Sequence, residues 1–312
     1  MNRNILAVLS LLALSCGIWW KPILRTIALA WHSDEYTHIL LILPISVVLI
    51  LMERQRLRKA IGWDIDAGVP ILGVALLIEV GATLWRGERA TGAPLSVVIF
   101  ALVLLWIGIF VLCLGRRACG QVLLPLFFLF GLVPLPRSAV DPIITGLQEG
   151  SVWSTHALFA LVNVPVSQQG VHLMIPGLTI EVARECSSIR SSSILVVISI
   201  LAAHVLLRSK WNKVLIVVLA VPLSIAKNGL RIFAIAFLGS RVDPSYLNGK
   251  LHQQGGILFL LLALIAEWCL LIMLRRRETS LSVNKSPRLS SESVNERRAR
   301  SVREVTESSM GI

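Results

Sequence analysis

The sequence predicts an all-α polytopic membrane protein of about eight transmembrane helices, with a small extracytoplasmic cap made of an amphipathic helix and a β-hairpin. Three observations predict it. Hydrophobic residues make up 55% of the 312 residues, charged residues only 15%, and the mean hydropathy is +0.76. A water-soluble domain carries roughly a quarter charged residues. The apolar residues run in long unbroken blocks, close to the roughly 20 residues that cross about 30 Å of hydrocarbon. The basic residues collect at the exits of alternate blocks, as positive-inside anchoring requires.

In chain order the spans fall at residues 4–20, 38–52, 67–85, 95–114, 121–135, 189–207, 212–231 and 253–274. The first begins basic and is followed by Ala28-Leu29-Ala30, a triplet like a signal-peptidase site. Lys21, Pro22 and Arg25 separate that triplet from the apolar run, which is unusual for a cleaved leader, so the segment reads as a retained helix. The fifth span contains Pro125 and ends at Pro134, which softens its limits. Arg54, Arg56, Arg58 and Lys59 follow the second span, Arg116 and Arg117 the fourth, Arg208, Lys210 and Lys213 the sixth, and Arg275, Arg276 and Arg277 the eighth. Every even-numbered exit is basic, which predicts a multi-pass protein of the cytoplasmic (inner) membrane with both termini in the cytoplasm.

One long segment, Pro136 to Glu185, falls on the outer side. Ala139 to Leu161 reads as an amphipathic helix on the membrane surface. Residues 172–182 read as two short strands around a Pro176-Gly177 turn, ending almost directly on Cys186. After Arg277 the chain is rich in Ser, Arg and Glu without apolar periodicity. The expected organisation is an integral membrane domain over 1–277 and a disordered cytoplasmic tail over 278–312.

Several function classes recede. The net charge of +12 could suggest a nucleic-acid partner, but the cations sit where membrane anchors sit, so the partner read from them is the lipid bilayer and no nucleic acid. The cysteines, Cys16, Cys113, Cys119, Cys186 and Cys269, form no CxxC pair and no zinc spacing. No metal site is read, because His32, His38, His156, His172 and His204 lack ligand spacing, and no cofactor is called for. No internal repeat stands out, which weakens an inverted-repeat transporter.

The chemistry-bearing residues lie at the outer ends of the last three spans. Cys186 immediately precedes the sixth, Arg231 closes the seventh, and His252 opens the eighth, so the topology brings all three to one membrane face. A thiolate is the attacking form of cysteine, and a helix N-terminus favours it over the thiol, whose ordinary pKa is about 8.5. An arginine stays protonated and can hold an oxygen on which negative charge develops. Histidine takes and returns a proton near neutral pH. Taken alone, each has a plainer reading. Membrane cysteines such as Cys16, Cys113 and Cys269 pack as small apolar groups, arginines at helix ends are interfacial anchors, and interfacial histidines are hydrogen-bonded polar residues. Lys227 and Asn228 beside Arg231 make the seventh span the least plain, since an intramembrane charge costs about 2.5–3.5 kcal/mol on insertion scales. Lys227 and Arg231 are four apart and share a helix face.

These motifs resemble a known family. Cys186-Ser-Ser-Ile-Arg190, Asn228-Gly-Leu-Arg231-Ile and His252 followed by Gly256 are similar to the three signature regions of the exosortase/archaeosortase family of membrane cysteine transpeptidases. Tyr36-Thr37-His38, Pro125-Leu-Phe-Phe-Leu, Pro134-Leu-Pro136, Leu147-Gln148, Gly170 and Ile180-Glu181-Val182 also fit, so the resemblance covers residues from about 30 to 270. One position departs: Ser188 stands where the family commonly has glycine, which places a Cβ in the turn before the sixth span.

The resemblance implies Cys186 as nucleophile with Arg231 and His252 completing a triad, and Arg190 and Asn228 as substrate-positioning groups. It implies membrane-anchored protein substrates with a C-terminal sorting signal, PEP-CTERM-like, made of a short motif, one membrane helix and a basic cluster. It further implies a thioester intermediate on the extracytoplasmic face and a link to exopolysaccharide or surface assembly. Two other classes stay open at this stage: a small-solute transporter lined by Lys227, Asn228 and Arg231, and a noncatalytic membrane subunit of polysaccharide export.

Overall fold

The computed structural model describes residues 3–88, 94–175, 178–182, 189–241, 243 and 256–280. Among the described residues six helices are long and apolar enough to cross a membrane, and eight spans result if each of two bent helix pairs counts as one. The chain is therefore an all-α polytopic membrane protein with one small sheet. It divides into two compact units, one formed by residues up to Glu149 with Glu181–Ser193, the other by Gly150–Ile180 with the described residues from Ile194 onward.

In the first unit α1 (Arg3–Ile18) meets α2 (Trp20–His32) at a 78° bend. The sequence reading places no helix between Lys21 and His32. The exposed Trp20 and Trp31 at the two ends of α2, with Lys21 and Arg25 between, suit a helix at a lipid–water boundary. After a 3₁₀ turn at Asp34–Tyr36 come α3 (Ile39–Met52), the short basic α4 (Arg54–Ala60), α5 (Ile65–Glu88) and α6 (Leu95–Leu114). The last coincides with the predicted fourth span. It is the core helix of this unit. Trp106 Nε1 of α6 donates to Ser15 Oγ at 2.9 Å, and Asn4 Nδ2 to the Cys113 carbonyl at 2.7 Å, so the polar groups of α1 are satisfied inside. On α5, a Cβ at Gly68 would lie 2.5 Å from Leu112 Cα, a closeness only glycine permits.

The predicted fifth span at 121–135 is not one straight helix but the first limb of a bent pair. After α7 (Arg116–Gln121), α8 (Leu123–Phe128) runs into a 3₁₀ turn at Leu129–Leu132, and the chain then bends by 95° into α9 (Arg137–Leu161). Leu123–Leu132 rises only about 15 Å at ~1.5 Å per residue, half of the ~30 Å a crossing needs. Pro134 and Pro136 donate no N–H and end the helix there. Tyr36 Oη donates to the Leu135 carbonyl at 2.8 Å and so ties this break to the start of the second span.

The second unit holds the latter half of α9, the sheet, α10 (Ile189–Leu206) from Ile194 on, α11 (Lys210–Arg241) and α12 (Gly256–Ser280). The sheet has β1 (Ser167–Gln169), β2 (His172–Ile175) and β3 (Leu178–Glu181), in that order. β1 and β2 are antiparallel, with Ser167 opposite Met174 and Gln169 opposite His172. Gly170 takes the first turn position at φ +58°, the left-handed value such a tight hairpin needs. The sequence reading found β2 and β3 but not β1, because Ser167-Gln168-Gln169 is polar and wholly exposed; the Pro176-Gly177 turn lies outside the described residues. Ile175 and Ile180 pack with Phe159, Phe233 and Ala236, which seats the sheet on α9 and α11.

Along the three long helices of this unit, Leu195, Ala220 and Ala263 form one apolar layer, and Ala203, Ile216 and Leu271 another. Ser199 and Glu267 are buried and hydrogen-bonded to each other across the α10–α12 contact. Glu278 accepts from the Arg208 and Ser209 N–H at 2.9 and 3.0 Å and from Asn212 Nδ2 at 2.7 Å. It caps the start of α11 from 66 to 70 positions further along the chain, near the end of a last helix that runs to Ser280.

Candidate active site

Cys186 and His252 lie outside the described residues, as does Ser188. Arg231 is the sequence-predicted catalytic group whose surroundings are described. The sequence reading puts it at the outer end of the seventh span. The helix itself does not end there: α11 continues through Ile232-Phe233-Ala234-Ile235-Ala236-Phe237 to Arg241. That continuation is apolar and buries itself. Phe233 meets Phe159 edge-on at 4.9 Å between ring centroids and lies 5.5 Å from Phe237. Arg231 is thus half-buried within a helix, one turn before an aromatic cluster that carries the sheet.

One turn earlier, Lys227 is 6% exposed and Asn228 1%. The Asn228 amide is directed at α9, where its Nδ2 donates to Ser151 Oγ at 2.9 Å in a buried contact. Thr155 Oγ1 lies 2.8 Å from the Ser151 carbonyl and 3.1 Å from the Gly229 carbonyl and shares its one proton between them. A Cβ at Gly229 would stand 2.5 Å from Ser154 Cβ and 3.2 Å from the Ser151 carbonyl oxygen, so the bare backbone of α11 packs against the Ser154 side chain at this point.

Arg190, in the first turn of α10, pairs with Asp34 at 3.2 Å, with side chains 59% and 62% exposed. An ion pair so open to solvent adds little stability, on the order of 0–1 kcal/mol, and leaves the guanidinium free to exchange partners. In the same unit, Gln148 Nε2 donates to the Val182 carbonyl at 2.9 Å, four residues before Cys186. Among the other cysteines, Cys113 and Cys119 are buried and Cys16 and Cys269 exposed. Burial, with the Asp64 charge nearby, pushes the Cys119 thiol up to about 12, so it stays a thiol at neutral pH.

Sequence reasoning missed Ser151, Ser154 and Thr155. Gly150-Ser151 and Ser154-Thr155 present small and hydroxyl-bearing residues four apart on one helix face, a pattern that marks close helix contacts in membranes. A family model described as transmembrane exosortase matches residues 30–269, well over half of the chain and inclusive of all three motif-bearing segments. No curated protein and no solved structure gives a significant match.

Proposed function

The chain belongs to the transmembrane exosortase family, and on that premise we propose that it is a membrane-embedded cysteine transpeptidase of proteins bearing a PEP-CTERM-like sorting signal. The observation that carries the reading is the family match over residues 30–269, which includes Cys186, Arg231 and His252 in order. The buried polar setting of α11 around Arg231 supports it, since apolar spans do not keep such residues without a use.

The Cys186 thiolate attacks the carbonyl carbon of the scissile peptide and forms a C–S bond. The carbonyl oxygen takes up the negative charge, and the Arg231 guanidinium holds it through charge-assisted hydrogen bonds. As the C–N bond breaks, the imidazolium of His252 gives its proton to the leaving amine, which departs with the C-terminal helix and basic cluster. The thioester is then opened by an acceptor hydroxyl, amine or water whose proton passes to His252, and Cys186 leaves as thiolate. Arg190 and Asn228 are the candidate substrate-positioning residues. Active site and β-sheet face the extracytoplasmic side of the inner membrane in this reading, and the products serve surface or exopolysaccharide assembly.

The test is processing of a reporter protein ending in a PEP-CTERM-like signal. Cys186→Ala and Cys186→Ser abolish both the shortened product and a hydroxylamine-sensitive enzyme–substrate adduct. An alanine variant that processes the reporter at the normal rate overturns the reading and favours the transporter class, in which Lys227 and Arg231 matter and Cys186 does not.

A further inference from the structure

We propose that Ser151 and Thr155 of α9 are positioning residues that aim the Arg231 guanidinium. This rests on the reading of Arg231 as the group that holds the carbonyl oxygen. Three contacts ascend together along the two helices: Ser151 with Asn228 at 2.9 Å, Thr155 with Gly229 at 3.1 Å, and Phe159 with Phe233 at 4.9 Å. The helices therefore run in the same sense through this contact, and Arg231 lies between the second and third points of attachment.

Apolar packing alone resists separation of two helices better than it resists rotation or sliding. Each residue along a helix turns it by about 100°, so a small rotation of α11 carries a long side chain at position 231 a considerable distance. The hydrogen bonds from Asn228 and Thr155 are directional and fix that angle. The glycine at 229 sets the height, because any side chain there would collide with Ser154 and the Ser151 carbonyl. Asn228 is held by the same contact, and this gives it a second role besides meeting substrate: its amide is part of what orients its neighbour three positions on.

Ser151→Ala and Thr155→Val are made singly and together in the full chain, and cleavage of the PEP-CTERM-like reporter is followed at limiting and saturating substrate. The double variant loses about tenfold in kcat, with KM within about twofold of wild type. Thr155→Ser, which keeps the hydroxyl and loses the methyl, stays close to wild type, whereas the isosteric Thr155→Val does not. In an Arg231→Lys background, itself slowed, the two changes cost less than about twofold, because the planar fork they aim is gone.

Full kcat in a normally inserted double variant overturns the proposal. So does an equal loss in the Arg231→Lys background, or a Thr155→Ser variant as impaired as Thr155→Val, either of which reduces α9 to a packing element. If the lysine background has no measurable turnover, the order of the Ser and Val variants decides alone. Wild-type turnover in Arg231→Ala sinks the assignment of Arg231 itself, an outcome distinct from all of these.

Discussion

Gln148 Nε2 donates to the Val182 carbonyl oxygen at 2.9 Å from a side chain 8% exposed, so a helix residue grips the end of the strand that leads to Cys186. Replacing Gln148 by Leu leaves a buried carbonyl without a donor, a loss of about 1–3 kcal/mol. The expected result is a lower Tm in detergent and slower reporter cleavage. Gln148→Glu is worse than Leu, because a carboxylate turns lone pairs toward the carbonyl. Thermal unfolding of the two variants side by side checks the order, and a glutamate variant as stable as wild type excludes the contact.

Asp64 precedes α5 and receives Arg116 Nε at 2.7 Å, with the Arg116 and Ala67 N–H at 3.3 and 3.1 Å. The Arg116 side-chain hydrogen bond, with help from those two N–H groups, holds its carboxyl below the usual 3.8 despite an opposing push from desolvation. A depressed folded-state pKa gives stability that is complete above 3.8 and is lost as pH falls through the lower folded value. Asp64→Asn is therefore expected to melt earlier than wild type near neutral pH, with a gap that closes on acidification below the carboxylate range. Melting curves across that range test it; a gap independent of pH excludes the linkage.

Glu278 places its carboxylate on the first turn of α11 through three hydrogen bonds. A chain stopped after Arg277 loses that cap, and one stopped after Ser280 keeps it. The shorter chain should be less stable by on the order of 1 kcal/mol, and Glu278→Ala in the full chain should reproduce the loss. Equal Tm values for the two truncations would return Glu278 to the tail.

The spans were legible because a lipid solvent imposes apolar length on the sequence, and Leu95–Leu114 shows this to the residue. Boundaries failed where another force competed. At Arg231 a charge looked like the end of a span, but the following Ile232-Phe233 stretch had Phe159 and the sheet to pack against, and the helix went on. At 121–135 the composition was apolar enough for a span, but prolines divided it. The candidate nucleophile, base and clamp came from local motifs, whereas Ser151 and Thr155 did not. A helical hydroxyl looks neutral on its own, and what makes Ser151 matter is a partner 77 positions away, a pairing no local window contains.

The contact between Gly229 and Ser154 has a consequence for descent. Two codons far apart in the gene share one small allotment of room, so a lineage that enlarges the first must shrink the second or lose the fit between the helices. A larger residue at 229 is barred until position 154 has first shrunk, and exchanges taken in that order are the trace that such a constraint leaves among relatives.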